Sequence, residues 1–91
     1  MKETDKEPLM IKVKQGVFVR HPKSDGLYQY YVTELGGQRF IITRNNTMLT
    51  PYYSLYHSWK EMFGGKMREF RSQLFGTSKL EKMINFINEN L

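Results

Sequence analysis

Ninety-one residues, 40% of them hydrophobic and 14% aromatic, suffice for one small folded domain and are too apolar for a disordered chain. The absence of cysteine excludes disulfides and cysteine-based zinc or iron–sulfur sites. The formal net charge of +5 favours anionic partners, nucleic acid first, and no segment approaches the roughly 20 apolar residues that span a bilayer.

The first eight residues, which end in Pro8, are mostly polar and charged and have no apolar periodicity. We therefore predict a flexible tail at residues 1–8 and a single α+β domain at residues 9–91. A charged start of this kind is unlike a secretory signal, so a cytoplasmic location is expected.

Residues 9–45 carry the patterns of antiparallel strands. In residues 9–14 one side of the chain is Leu9, Ile11 and Val13 and the other is Met10, Lys12 and Lys14, which is the two-residue period of a half-buried strand. Residues 27–35 and 39–44 are rich in tyrosine, isoleucine and threonine, and they flank a Gly-Gly pair that is typical of a hairpin turn. These segments predict a three- or four-stranded antiparallel sheet.

The second half of the chain changes to a helical period. Thr50-Pro51 is a typical helix start, and apolar residues spaced three or four apart follow it up to Gly64. Ser78 and Glu81 then have the spacing of a capping box. We predict two or three helices, packed on one face of the sheet, over residues 51–63, 66–75 and 78–90.

The sequence contains no motif for catalysis or metal binding. His21 and His57 have no acidic neighbour at metal-ligand spacing, and the serines stand in no nucleophile motif. The two Gly-Gly pairs are too short for loops that cradle phosphate groups. We therefore predict a protein that is not an enzyme and that uses no metal and no cofactor.

Cations and aromatic rings are interleaved between residues 20 and 44. Residues 9–50, which include this stretch, hold six cations and two acids, a net charge of +4. Strands of this composition can offer guanidinium and ammonium groups to phosphates and flat rings to unpaired bases. The predicted nucleic-acid-binding residues are Lys12, Lys14, Arg20, Lys23, Tyr28, Tyr30, Tyr31, Arg39 and Arg44.

The sequence leaves open which face of the predicted hairpin is buried. Each face carries apolar and polar groups, so the stacking rings are Tyr28 and Tyr30, or alternatively Tyr31. RNA or single-stranded nucleic acid is slightly favoured over duplex DNA, because phosphate contacts alone do not need aromatic rings. Insertion of the hairpin into the major groove of DNA is the alternative geometry. The expected role is that of an accessory or regulatory factor.

The predicted helices offer a second candidate site for nucleic acid. Two amphipathic segments joined at Gly64-Gly65 have, loosely, the arrangement of a helix-turn-helix. Its cations lie on the first helix and at the start of the recognition helix: Lys60, Lys66, Arg68 and Arg71.

The alternative function is a protein-interaction module, a small inhibitor or adaptor that docks on an acidic protein. Trp59, Met62 and Phe63 lie on the apolar stripe of the first predicted helix, which favours a place in the core. As exposed residues, they or Phe86 would instead mark a protein-binding surface, because tryptophan and methionine are frequent at interfaces.

Overall fold

The computed structural model describes residues 8–24, 26–47 and 49–91, and these residues form six strands and one helix. The elements are β1 (Met10–Val13), β2 (Gly16–Arg20), β3 (Tyr28–Leu35), β4 (Gln38–Asn45), β5 (Tyr52–Phe63), β6 (Lys66–Thr77) and α1 (Leu80–Asn90). Each strand pairs antiparallel with the next along the chain, so the sheet has the order β1-β2-β3-β4-β5-β6. The predicted tail lies outside the described residues, apart from Pro8.

The predicted fold class is wrong in the second half of the chain. Strands β5 and β6 lie where helices are expected over residues 51–63 and 66–75, and they extend the sheet to six strands. The apolar residues of β5 fit both periods, since Tyr53 and Leu55 are two apart and Leu55 and Trp59 are four apart. Pairing with β4 selects the two-residue period, because it buries Tyr53 and Leu55 on one side of the sheet.

The second Gly-Gly pair closes a hairpin and does not end a helix. Gly64 and Gly65 have φ angles of 61° and 80°, close to the 58° and 78° of Gly36 and Gly37 in the turn between β3 and β4. Two adjacent residues with positive φ form the tight turn whose twist matches that of paired strands. The chain thus contains two Gly-Gly hairpins.

Helix α1 lies across one face of the sheet and contacts β1, β5 and β6. Met83 and Ile87 are fully buried, and Asn88 and the Ile87 carbonyl accept hydrogen bonds from the β1–β2 turn. The capping prediction is wrong, because the helix begins after Lys79 without a side-chain cap. α1 has eleven residues, and in the described part of the chain no helix is long and apolar enough to cross a membrane.

The sheet has a helix face, covered by α1, and an opposite open face. The helix face and α1 enclose the core, which consists of Ile11, Phe18, Tyr31, Phe40, Ile42, Tyr53, Leu55, Met83 and Ile87. The open face carries the side chains that alternate with these, and in β3 to β6 they include Tyr28, Tyr30, Val32, Arg39, Ile41, Tyr52, Tyr56, Ser58, Glu69 and Arg71. Burying an apolar side chain fully contributes about 1.5–3 kcal/mol. The placement of α1 therefore decides which side of each strand stays in water.

The β5–β6 hairpin reaches beyond the rest of the sheet. β4 pairs with β5 only as far as Ser58, and from there residues 59–63 pair only with residues 66–70. We call residues 59–70 the arm. Its length contributes to the elongated shape of the molecule, 49 Å by 28 Å by 19 Å.

Candidate nucleic-acid interface

The open face contains a cleft of about 450 Å³. Its walls come from the loop that follows β2 and from strands β3, β4 and β6. The lining residues are His21, Lys23, Tyr30, Val32, Arg39, Ile41, Glu69 and Arg71. A cleft with an apolar floor and several cationic groups at its rim is suited to an anionic ligand that also carries flat or apolar groups.

The pairing of three strands places two guanidinium groups across the cleft. Arg39 lies opposite Ser58, and Ser58 lies opposite Arg71, so the three residues form one row on the open face. With neighbouring strands about 4.8 Å apart, the Cα atoms of Arg39 and Arg71 are roughly 10 Å apart. Two donors at this spacing can contact separate anionic groups of one ligand.

The two arginines are held differently. The Arg39 side chain is half-buried, and its Nε–H is buried without a hydrogen-bond partner among the described residues. An unsatisfied buried donor costs about 1–3 kcal/mol, and an anion beside the guanidinium would offset part of that cost. The guanidinium of Arg71 lies 5.8 Å from the ring centre of Tyr56, within the range of a cation–π contact.

Glu69 is the acidic member of the cleft. Its carboxylate accepts a hydrogen bond from the Ser58 hydroxyl. That bond, together with the charges of Arg39, Arg71 and Lys60, holds the pKa of Glu69 below its ordinary value, and partial burial opposes the shift. The carboxylate is therefore ionised at neutral pH. With Lys23, Arg39 and Arg71 as cations and Glu69 as the one acid, the lining residues sum to 3 − 1 = +2.

Hydrogen bonds position Lys23 at the rim of the cleft. The Lys23 backbone N–H donates to His21 Nδ1 at 3.0 Å, and the His21 N–H donates to the Tyr30 carbonyl at 2.6 Å. The Tyr30 N–H in turn donates to the Ser24 hydroxyl at 2.9 Å. The loop after β2 is thus tied to β3 on both sides of Lys23, which directs an exposed ammonium group toward the cleft.

Four of the six tyrosines lie on the open face: Tyr28, Tyr30, Tyr52 and Tyr56. Tyr28 and Tyr52 stand on either side of Asn45 in one cross-strand row, and each is 39% exposed. Tyr30 is half-buried in the lining of the cleft, and Tyr56 is half-buried beside the guanidinium of Arg71. Partly exposed rings on a sheet surface can stack on unpaired bases, a contribution of about 1–3 kcal/mol per base.

The structure separates the predicted binding residues into two groups. Lys12, Tyr28, Tyr30 and Arg39 lie on the open face, with Lys23 at the cleft rim. Tyr31, Arg44 and Arg20 lie on the helix side of the sheet, and Lys14 lies in the β1–β2 turn.

Tyr31 and Arg44 belong to the helix face. Tyr31 is fully buried, and its hydroxyl donates to the Pro8 carbonyl at 2.8 Å. Arg44 is 7% exposed, and its Nε donates to the Tyr53 hydroxyl at 3.1 Å. Both side chains therefore belong to the interior and are not available to a ligand on the open face.

Arg20 and Lys14 are also outside the open face. Arg20 lies opposite the buried Tyr31 and is half-buried on the helix side. Lys14 is in the β1–β2 turn, where its backbone N–H donates to the Asn88 side chain of α1 at 2.8 Å.

The predicted helix-turn-helix is wrong, because its residues form β5 and β6. Its four cations are divided between the two sides of this hairpin: Lys60 and Arg71 are on the open face, and Lys66 and Arg68 are on the opposite side of the arm. The Arg68 guanidinium lies 5.6 Å from the ring centre of Phe63. The structure thus joins Arg71 to the cleft and leaves Lys66 and Arg68 on the arm.

The sequence reasoning missed Tyr52, Tyr56 and Glu69. A signal for the two tyrosines was present, since residues 52, 54, 56, 58 and 60 alternate regularly with the apolar Tyr53 and Leu55. The second Gly-Gly pair supplied the matching turn signal. No sequence pattern marks Glu69, which reaches the cleft only through the pairing of β6 with β5.

In the described ranges, no group of three or more histidine, aspartate or glutamate side chains is placed to hold a metal ion. Comparison with protein-family models, with curated proteins and with solved structures finds no match to this chain.

Proposed function

We propose that this protein is a non-enzymatic nucleic-acid-binding protein of the cytoplasm, with an accessory or regulatory role. It binds RNA or single-stranded DNA across the open face. Arg39, Arg71 and Lys23 contact phosphates at the cleft, and Tyr28 and Tyr52 stack on unpaired bases. The observation that carries the proposal is the convergence of three cations from separate elements beside tyrosine rings on the face that α1 leaves uncovered.

The width of the sheet favours single strands over duplex DNA. Six strands at about 4.8 Å spacing make a surface roughly 24 Å wide, whereas the major groove of B-DNA is about 12 Å wide and admits two strands. The six-stranded part of the open face is therefore too wide to enter the groove as a ribbon. Tyrosine rings on a broad surface are instead suited to bases that are already unstacked.

Fluorescence anisotropy with labelled single-stranded RNA, duplex RNA and duplex DNA, at low and near-physiological salt, tests the proposal. We expect single strands to bind most tightly and binding to persist at about 0.15 M salt. Weak binding to all three probes that disappears with salt would contradict it.

Matched variants locate the site. Arg39→Gln and Arg71→Gln should each weaken binding about tenfold and reduce the salt slope by about 0.7, the value for one phosphate contact on a single strand. Lys82→Gln, an exposed cation of α1, makes the same charge change away from the open face and should bind like the wild type. Equal losses in all three variants would indicate a nonspecific charge effect and no defined site.

A protein-interaction module remains the second candidate, and the arm favours it. Met62, Phe63 and Met67 are 65%, 62% and 60% exposed at its tip, so the expectation that Met62 and Phe63 are core residues is wrong. Trp59 is half-buried beside them. Phe86 does not mark such a surface, because its ring stacks on Phe75 with centroids 4.3 Å apart.

Affinity capture with the wild type and with a Met62→Ser/Phe63→Ser variant tests this candidate. The interaction-module candidate is supported by an acidic protein that binds the purified wild type directly and does not bind the variant. Binding of that protein by both forms would remove the arm tip from the interface. Nucleic-acid affinity should be the same in both forms, since the tip lies outside the cleft.

A further inference from the structure

Strand β6 is a long edge of the described sheet. It has twelve residues and pairs with β5 alone among the described strands. Most of its side chains are exposed, and its outer row of backbone N–H and C=O groups is available to another strand. The opposite edge, β1, has only four residues. β6 is therefore the edge that can accept a further strand.

The residues of β6 are complementary to a second copy of themselves. Glu69 and Arg71 lie on the open face, one on each side of Phe70, which lies on the opposite side of the strand. When two such strands run antiparallel with Phe70 opposite Phe70 of the partner subunit, Glu69 lies opposite the partner's Arg71. Directly opposed residues of unlike charge stabilise a strand pair, and like charges destabilise it.

We propose that the protein forms a two-fold symmetric dimer by antiparallel pairing of β6 with β6 of a second copy, centred on Phe70. The two six-stranded sheets then form one sheet of twelve strands. Two pairs between Glu69 and the partner's Arg71 lie on the open face, and two Phe70 rings meet on the other. The interface is isologous, as in most symmetric dimers.

The charges select this register over its neighbours. A two-residue slip in one direction places Glu69 opposite the partner's Glu69, and a slip in the other direction places Arg71 opposite the partner's Arg71. A slip of one residue would pair side chains from opposite faces. Toward the C-terminal end, the irregularity in β6 pairing beside Leu55 limits the regular edge to about residues 66–73.

The dimer would place two clefts side by side. Glu69 and Arg71 line the cleft of each subunit, so the two cationic surfaces meet at the symmetry axis. Pairing through β6 does not require the nucleic-acid function, and it is measured on the protein alone. Failure of either proposal therefore leaves the other standing.

Light scattering with size-exclusion chromatography, over a concentration series of the wild type without nucleic acid, gives the oligomeric state. We expect a mass that rises to that of a dimer, twice 10.9 kDa. A monomer at every concentration would overturn the proposal.

Cysteine cross-linking tests the register, because the chain has no cysteine of its own. Directly opposed residues have Cβ atoms about 4.5–5.5 Å apart, close to what a disulfide needs. Under mild oxidation Phe70→Cys should give a covalent dimer, and Arg68→Cys or Ser72→Cys alone should not. The combined Arg68→Cys/Ser72→Cys variant should cross-link, since these two positions oppose each other across the axis. A dimer in which position 70 does not cross-link would contradict the proposed register.

Charge reversal tests the ion pairs. Glu69→Arg and Arg71→Glu should each raise the dimer dissociation constant about tenfold, because each creates two like-charge contacts per dimer. The combined variant restores unlike pairs and should recover most of the affinity. Lys12→Glu reverses a charge on β1 and should leave dimerisation unchanged. If the reversed variants fail to fold, as judged by circular dichroism, the cysteine variants decide.

Discussion

The two Gly-Gly hairpins have the same turn and different surroundings. In both, adjacent glycines have φ angles near 60° and 80°, and the strands next to the turn pair in regular register; the β5–β6 pairing becomes irregular only at Leu55 and Tyr56, far from its turn. The β3–β4 hairpin lies within the sheet, with Tyr31 and Ile42 fully buried beneath α1. The outer half of the β5–β6 hairpin, the arm, has no further strand beside it among the described residues.

This difference separates what forms a hairpin from what stabilises it. Turn chemistry and strand propensity favour the β5–β6 hairpin. A row of aromatic contacts then runs from the body of the sheet into the arm: Phe40–His57 at 5.3 Å, His57–Trp59 at 5.4 Å, Trp59–Phe70 at 6.1 Å and Phe63–Phe70 at 6.4 Å. An isolated two-stranded hairpin is marginally stable at best. The arm therefore depends on these rings and on the body of the sheet, and it is the region available to a partner.

The largest expected difference between the hairpins is in core stability. Ile42→Ala should lower the free energy of unfolding by about 2–5 kcal/mol, because it leaves a cavity beneath α1. Met67→Ala on the exposed arm should change it by no more than about 0.5 kcal/mol. Urea denaturation followed by circular dichroism measures both. Similar losses would mean that the arm is packed against something outside the described residues.

The second-largest expected difference is between the two arginines of β4, Arg39 and Arg44, in their effects on stability and on RNA binding. Arg44→Met should lower the free energy of unfolding by about 1–3 kcal/mol, because the buried Tyr53 hydroxyl loses its partner. Arg39→Met should not lower stability, because it removes a buried donor that has no partner among the described residues, and it should weaken binding of single-stranded RNA. Denaturation and anisotropy on the same preparations give both quantities. A stable Arg44→Met protein with weakened RNA binding would move the interface to the helix face.

The turns should show a smaller difference. Alanine at Gly37 or Gly65 forces positive φ on a residue with a side chain, a cost of about 1 kcal/mol, although neither position has a neighbouring atom to clash with. Gly37→Ala should lower global stability by that amount. Gly65→Ala should instead reduce hydrogen-exchange protection in residues 59–70 and leave the denaturation midpoint nearly unchanged. An equal fall in the midpoint for both would show that the arm unfolds with the body.

The smallest expected effect is on the titration of Glu69. Ser58→Ala removes the leading cause of the lowered pKa and should raise it toward the ordinary glutamate value of about 4.3. A carboxylate whose pKa is lowered by folding stabilises the protein at pH values above its unfolded-state pKa. This stabilisation is lost as the pH falls through the pKa of the folded state. Because Glu69 is exposed, the contribution is a few tenths of a kcal/mol. Carboxyl NMR titration measures the shift, and an unchanged pKa would assign it to the arginines.

Part of this fold could be predicted from the chain alone. Strands β1 to β4 occupy the region where alternation and the first Gly-Gly pair predict strands, and α1 occupies the region of the third predicted helix. In both cases the local pattern agrees with only one period. In β5 it agrees with two, and the neighbouring strand decides between them.

The candidate site divides in the same way. The excess of cations in residues 9–50 and the tyrosine-rich strands are properties of the sequence. The sequence does not show that Arg39 and Arg44, or Tyr30 and Tyr31, lie on opposite faces of the sheet with different exposure. Both faces of each strand carry similar types of residue.

The sequence by itself thus determined the charge, the absence of cysteine chemistry, the first Gly-Gly turn and the final helix, since each depends on residue type or on local backbone preference. Only the tertiary structure decided which face is wet and which residues share the cleft. Met83 and Ile87 bury α1 against one side of the sheet, and strand pairing brings Glu69 and Arg71 beside Arg39, about thirty positions away in the chain. The exposed face and the membership of the cleft both depend on packing between segments that are distant in the sequence, and no local pattern encodes that packing.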